Sequence, residues 1–233
     1  MFIPLKDENP TLRKPVVTIA IIAINALVYL FSATKDSQGF QAFIIQYGLI
    51  PYEITHVSEL TPQLPFPVFL NLLTSMFMHG GIMHLAGNML FLWVFGNNIE
   101  DHLGHLKFIF FYLAAGFAAD ALFILFSPNS QVPLVGASGA IAGILGAYFV
   151  LFPKARIHTL IFLVYFIRIV QIPAAVVLGF WIIYQVIMSA MSSTAGGGVA
   201  WLAHVGGFAF GWLLLKLFAS KPKDRQKIYR VQF

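Results

Sequence analysis

Four polar side chains in an otherwise apolar chain could together perform nucleophilic catalysis: Ser138, His204, His84 and Asn88. A serine hydroxyl becomes an effective nucleophile when a base takes its proton, and histidine suits that task near neutral pH. His84 and Asn88 stand four residues apart, so on a helix they share one face, from which both can donate hydrogen bonds to an oxyanion. The pattern predicts a Ser138–His204 dyad, with His84, Asn88 and the Ser138 amide as the oxyanion hole.

The orientation of the proposed base cannot come from a neighbour in the sequence. No carboxylate stands close to His204 along the chain. If the imidazole is oriented, packing or a distant group must orient it. The pattern therefore predicts a Ser–His dyad.

Composition places these residues in a membrane protein. The 233 residues are 59% hydrophobic and only 10% charged, whereas soluble domains carry about 25% charged residues. Several apolar runs approach the ~20 residues that cross a bilayer, and they recur from residue 16 to residue 219, which argues against a soluble protein with buried core helices. The absence of cysteine excludes disulfides and thiolate metal sites.

The apolar runs predict an all-α protein with six membrane spans. A polar segment, residues 1–15, precedes this domain of residues 16–219, and a basic tail, residues 220–233, follows it. We interpret residues 32–69 as a long first loop with short interfacial helices, and 157–171 as an interfacial or re-entrant piece. The six predicted spans are Val16–Phe31, Ile82–Asn97, Leu106–Phe126, Ser138 to just before Pro153, Pro173–Met191 and Ala200–Phe218.

The distribution of Lys and Arg predicts the orientation in the membrane. These residues concentrate in the N-terminal segment, the 153–156 loop and the tail, which predicts a multi-pass protein with both termini in the cytoplasm. The first apolar run is typical of an uncleaved signal anchor, and we expect the bacterial inner membrane as the location. The tail favours contact with anionic lipid rather than with nucleic acid. Its basic residues are Lys221, Lys223, Arg225, Lys227 and Arg230.

The fourth predicted span is too short to cross the bilayer core. Its length of about 15 residues gives ~22 Å of helix against a core of ~30 Å. Because Lys154 and Arg156 mark its cytoplasmic end, the Ser138 end should lie below the outer surface, on the floor of a water-filled depression. His84, Asn88 and His204 fall at a similar depth in their own spans.

Small residues line one side of the fourth and sixth spans. Such stripes let membrane helices approach with their backbones close together, which would bring Ser138 and His204 within hydrogen-bonding distance. The residues are Gly139, Ala142, Gly143 and Gly146 on the fourth span, and Gly207 and Gly211 on the sixth.

These motifs resemble those of the rhomboid intramembrane serine proteases. The similarity rests on Gly136-Ala137-Ser138-Gly139, on His84 with Asn88, on Ala203-His204-Val205-Gly206-Gly207, and on the turn from Gly96 to Asp101. It implies a six-helix bundle with a membrane-embedded first loop, Ser138 as nucleophile and His204 as base. It also implies cleavage of transmembrane substrates at small-residue, helix-destabilising sites, without a metal or cofactor.

Two features, a residue pair and a single residue, depart from the family pattern. Leu70-Asn71 stand where many members carry Trp-Arg, and Ala142 stands where some carry an aromatic residue that packs on the catalytic histidine.

Several alternatives remain for comparison. One is a catalytically inactive rhomboid-like protein that binds membrane clients. A zinc protease would need a His-Glu-x-x-His motif, which is absent, and an aspartyl protease would need two aspartates at span depth, where only Asp120 qualifies. A transporter is disfavoured because the spans show no inverted repeat. The natural substrate and the oligomeric state do not follow from the sequence.

Overall fold

The computed structural model describes residues 2–58, 60, 67–163, 166–191 and 200–218. Within these ranges the chain is mostly helical, and it also contains a three-stranded antiparallel sheet. The predicted all-α class is therefore wrong in this respect. The predicted basic tail, residues 220–233, lies outside the described residues.

The described residues contain ten α-helices. Two 3₁₀ turns, Val68–Leu70 and Ser75–Phe77, flank α4, and a π-helical segment, Leu92–Gly96, joins α5 to α6. The α-helices are α1 Val16–Ala33, α2 Ser37–Tyr47, α3 Pro51–His56, α4 Asn71–Thr74, α5 Ile82–Phe91, α6 Asn97–Leu103, α7 His105–Phe126, α8 Ser138–Leu151, α9 Ala174–Met191 and α10 Trp201–Phe218.

Three of these helices, α1, α7 and α9, are long and apolar enough to cross a membrane. A fourth candidate is the pair Val68–Phe77 and Ile82–Leu103, whose two parts are bent by 78°. Both α8 and α10 are apolar but shorter than a full span. The described residues thus give a membrane protein with three or four candidate spans, and the count of six stays a prediction.

The sheet is built from two segments that the sequence pattern had not assigned to strands. Strand β1, Phe2–Asp7, pairs with β2, Arg156–Leu163, which pairs with β3, Phe166–Pro173. Strands β2 and β3 pair antiparallel within the segment that we interpret as an interfacial or re-entrant piece, and the N-terminal segment supplies a third strand; the position of this segment relative to the membrane stays a prediction. One face of the hairpin is buried at Ile157 and Thr159, each 0% exposed, whereas Ile167 and Ile169 on the other face are about 60% exposed.

Strand β1 is fixed to the helices through Asp7. The buried Asp7 carboxylate accepts hydrogen bonds from Asn98 Nδ2 at 2.5 Å and from the Tyr148 hydroxyl at 2.8 Å. Burial raises the pKa of Asp7 to about 6. Because Tyr148 lies on α8, this contact links the N-terminal strand to the helix that begins at Ser138.

The first turn of α1 is capped by an acidic side chain from α6. Glu100 is fully buried, and its carboxylate accepts hydrogen bonds from the Val17 and Thr18 amides and from the Thr18 hydroxyl, at 2.7–2.9 Å. These amides have no partner within their own helix, and an anion there also interacts favourably with the helix dipole. The neighbouring Asp101 accepts from the amides of Leu12 and Arg13.

Helix α8 lies at the centre of the bundle, with every residue from Ala140 to Tyr148 buried. Its small residues bring its backbone against that of α10, as the stripes predict. A methyl group at Gly207 would collide with the carbonyl oxygen of Gly139, and one at Gly211 with that of Gly143. Glycine at these positions is what allows the two helices to approach so closely.

Candidate active site

The structure brings Ser138 and His204 into hydrogen-bonding contact. Ser138 is the first residue of α8, and His204 lies in the first turn of α10. The distance from Ser138 Oγ to His204 Nε2 is 2.8 Å. Gly139 follows the serine and Gly207 lies about one turn after the histidine, so the glycine contact between the two helices sits directly beside this pair.

His84 and Asn88 converge from α5 on the loop that precedes Ser138. Gly136 has φ of +124°, a backbone conformation that favours glycine. A Cβ atom there would lie 2.8 Å from His84 Nε2 and 3.5 Å from Asn88 Nδ2, so both nitrogens face the backbone two residues before the serine. Asn88 Nδ2 is buried and has no hydrogen-bond acceptor among the described residues. It is therefore a donor available to a substrate oxygen.

The first loop and the turn before α5 hold this serine loop in place. The Gly136 amide donates to the Ser75 carbonyl oxygen at 2.9 Å. Leu49 and Leu134 exchange two backbone hydrogen bonds, at 2.7 and 2.9 Å, in an isolated antiparallel bridge. The segment with the strained glycine is thus tied at two points to the chain that precedes α5.

Gln185 is a site residue that the sequence interpretation missed. Its side chain reaches from α9, and Gln185 Oε1 lies 2.7 Å from His204 Nδ1. The residue is only 4% exposed. The available signal was a polar amide inside the fifth apolar run, because buried polar groups at membrane depth are costly and are usually functional.

The rings of two tryptophans pack against the His204 imidazole. The Trp181 ring, also on α9, is tilted by 35° from the imidazole with centroids 5.8 Å apart, and Trp201 meets it edge-on at 6.3 Å. The His204 ring is therefore held by packing and by Gln185, a group 19 residues away in the sequence. Ala142, which stands where some family members carry an aromatic residue, is too small to pack on the imidazole. Trp181 packs on it instead.

His79 lies beside the site without taking part in the contacts of the dyad. Its ring is 1% exposed and packs edge-on against His84, with centroids 5.1 Å apart. Neither ring nitrogen has a hydrogen-bond partner among the described residues.

Comparison with known proteins gives a family and several relatives. The Rhomboid domain model matches residues 67–221, well over half of the chain. Rhomboid protein 1, mitochondrial, of Saccharomyces cerevisiae is 31% identical over 173 residues, which cover 70% of this chain and 45% of that protein. Rhomboid protease GluP of Bacillus subtilis is 33% identical over 134 residues, covering 58% and 24% of the two chains.

The similarity also extends to a plant protein. Rhomboid-like protein 11, chloroplastic, of Arabidopsis thaliana is 26% identical over 237 residues, covering 95% of this chain and 74% of that one. The chain spans less than half the length of the yeast and Bacillus relatives. Because the relatives' names include mitochondrial and chloroplastic proteins, the comparisons do not support the predicted bacterial inner membrane location.

Proposed function

The chain belongs to the rhomboid family, and from that premise we propose that it is an intramembrane serine endopeptidase that cleaves transmembrane proteins. The observation that carries the proposal is the 2.8 Å contact between Ser138 Oγ and His204 Nε2. Nucleophile and base within hydrogen-bonding distance, with the base itself held by a third group, is the arrangement that nucleophilic catalysis requires.

In the proposed reaction, Ser138 Oγ attacks the carbonyl carbon of the scissile peptide bond while His204 Nε2 takes the hydroxyl proton. The carbonyl oxygen becomes an oxyanion, which His84, Asn88 and the Ser138 amide stabilise by donating hydrogen bonds. Collapse of this intermediate breaks the C–N bond, and the proton on His204 passes to the leaving amine. An acyl-enzyme remains on Ser138.

Water completes the cycle. His204 takes a proton from a water molecule as that water attacks the ester carbon, a second oxyanion forms, and its collapse returns the proton to Ser138 Oγ and releases the acid. The reaction needs water at membrane depth. The 14-residue α8, shorter than the bilayer core, supports the proposal that its Ser138 end opens into a water-filled depression.

We also propose both chain termini on the cytoplasmic side, from the Lys and Arg distribution. The substrate would then enter from the lipid, with its scissile bond at the depth of Ser138. Small or helix-destabilising residues at that bond would favour cleavage, because the peptide must leave the helical conformation before its carbonyl carbon can reach Ser138 Oγ.

The test is cleavage of a membrane-anchored reporter by the purified protein in proteoliposomes. Ser138→Ala should abolish cleavage while the thermal unfolding profile stays unchanged. The matched control is Ser37→Ala, at the exposed start of α2, which should cleave at the wild-type rate. Cleavage by Ser138→Ala at the wild-type rate would remove this serine from the mechanism.

A second measurement separates a protease from an inactive relative that only binds membrane clients. A fluorophosphonate probe reacts with an activated serine, so it should label the wild-type protein and fail to label His204→Ala. A folded wild-type protein that binds transmembrane segments but takes up no probe would favour the client-binding alternative.

A further inference from the structure

We propose that Gln185 is the positioning residue that fixes the tautomer and ring orientation of His204, so that Ser138, His204 and Gln185 form a triad with a neutral third member. The inference rests on the proposed function, since it assigns a role within the same site. It begins from a continuous chain of contacts across three helices: Ser138 on α8, His204 on α10 and Gln185 on α9.

The chemistry of the amide oxygen determines which ring nitrogen carries the proton. Gln185 Oε1 has no hydrogen, so its 2.7 Å contact with His204 Nδ1 requires an Nδ1–H donor. A neutral imidazole protonated on Nδ1 presents a lone pair on Nε2. That lone pair faces Ser138 Oγ at 2.8 Å and can take its proton. In the opposite tautomer Nε2 would carry a hydrogen and could not act as the base.

The hydrogen bond between Gln185 and His204 is protected from water because both side chains are buried. Gln185 is 4% exposed and His204 is 9% exposed, so water competes poorly for either side chain. Trp181 lies one turn before Gln185 on the same face of α9, and its ring packs on the imidazole. Helix α9 therefore restrains the imidazole in two ways. Trp181 packs on the plane of the ring, and Gln185 accepts a hydrogen bond from Nδ1.

The neutral charge of the third member has a distinct consequence. An amide oxygen fixes the imidazole and stabilises its protonated form only weakly, whereas a carboxylate stabilises that form strongly as well. Among the described residues, the hydrogen-bond partners of the His204 ring are Gln185 and Ser138. Replacing Gln185 by a residue with a carboxylate should therefore keep the geometry and change the pH dependence of the reaction rate. If Gln185 had a purely structural role, the pH dependence would not change.

The experiment compares Gln185→Leu and Gln185→Glu with the control Gln41→Leu, which makes the same chemical change at an exposed position of α2. The rate of fluorophosphonate labelling and the kcat and KM for a reporter are measured between pH 5 and 9. Gln185→Leu should lower kcat and the labelling rate about 100-fold with KM nearly unchanged, because the wrong tautomer is populated. Gln41→Leu should match the wild type.

Gln185→Glu should remain active, with the acidic limb of its pH–rate profile moved upward by about one pH unit or more. This variant keeps the proposal falsifiable if Gln185→Leu fails to fold. A wild-type labelling rate in folded Gln185→Leu, or an unchanged pH profile in Gln185→Glu, would overturn the positioning role while leaving the protease assignment in place.

A spectroscopic measurement separates this inference from the proposed function. In ¹⁵N-histidine spectra, with the His204 signal assigned by its loss in His204→Ala, the wild type should show a single tautomer protonated on Nδ1. Gln185→Leu should show a mixture. A wild-type His204 protonated on Nε2, or an identical tautomer in Gln185→Leu, would refute the inference whether or not the protein cleaves a substrate.

Discussion

Replacing Gly207 by alanine should disable the proposed dyad without touching either of its members. Gly207 lies on α10 about one turn after His204 and packs against Gly139, the residue that follows Ser138. A Cβ atom there would overlap the Gly139 carbonyl oxygen, at 3.0 Å from the carbonyl carbon and 3.2 Å from Ala142 Cβ. The two backbones must therefore move apart beside the site.

The size of that movement sets the expected loss. Carbon and carbonyl oxygen atoms normally approach to about 3.3 Å, so the helices must separate locally by about 1 Å. The present Ser138–His204 distance of 2.8 Å would then exceed the limit of about 3.5 Å for a hydrogen bond. We expect kcat to fall about 100-fold and the free energy of unfolding to fall by about 1–3 kcal/mol.

The assay is the fluorophosphonate labelling rate in proteoliposomes, with thermal unfolding measured on the same samples. Gly87→Ala is the matched control, because Gly87 lies on α5 and a Cβ there would meet no atom of the described residues within 4 Å. It should label at the wild-type rate. A folded Gly207→Ala protein that labels at the wild-type rate would refute the argument that this glycine contact sets the dyad distance.

Three further changes test other parts of the structure. Asn88→Ala should lower kcat about 100-fold or more with little change in KM, because an oxyanion donor acts mainly in the transition state. A rise in KM of that size without loss of kcat would contradict this role. Glu100→Ala should lower the free energy of unfolding by about 3 kcal/mol, because the Val17 and Thr18 amides lose their acceptor. Its control is Glu8→Ala, at a carboxylate that contacts His158 and Gln171 at the surface and caps no helix among the described residues, and equal losses would contradict the capping role. Asp7 has a pKa of about 6 in the folded protein against an ordinary 3.8, so the folded state binds the extra proton and stability should fall as pH rises from about 4 to above 6. The difference in unfolding free energy between wild type and Asp7→Asn should therefore change by up to about 3 kcal/mol over that range in urea titrations, and a difference independent of pH would be inconsistent with this reasoning.

The helices and the close approach of α8 and α10 could be anticipated from local features of the sequence. Long apolar runs and their breaks predict helix positions, and each of the six predicted runs contains a helix in the structure. The glycines of α8 and α10 predict where two backbones can meet, and the Ser138–His204 contact occurs beside them. The helix positions and the close approach of α8 and α10 can be predicted because they depend on the composition of single segments and on the positions of their small residues.

Strand β1 and Gln185 depend on contacts between distant segments, which the sequence pattern does not show. Strands β2 and β3 pair locally, and the β-branched side chains of residues 159–171 were an available signal for them, whereas β1, the partner of β2, lies about 150 positions earlier. Gln185 has no distinguishing neighbour in the sequence. Its role emerges only when α9 is placed beside α10, which the periodicity of either helix does not specify.

Helix α9 is the least enclosed of the three long apolar helices, with 17% of its span buried inside the protein against 39% for α7. It also carries Gln185 and Trp181, so the His204 ring is held by a helix whose remaining surface is available to lipid acyl chains. We therefore expect the surrounding lipid to influence the position of the imidazole. Turnover should then vary with acyl-chain length and lateral pressure even where every helix stays folded.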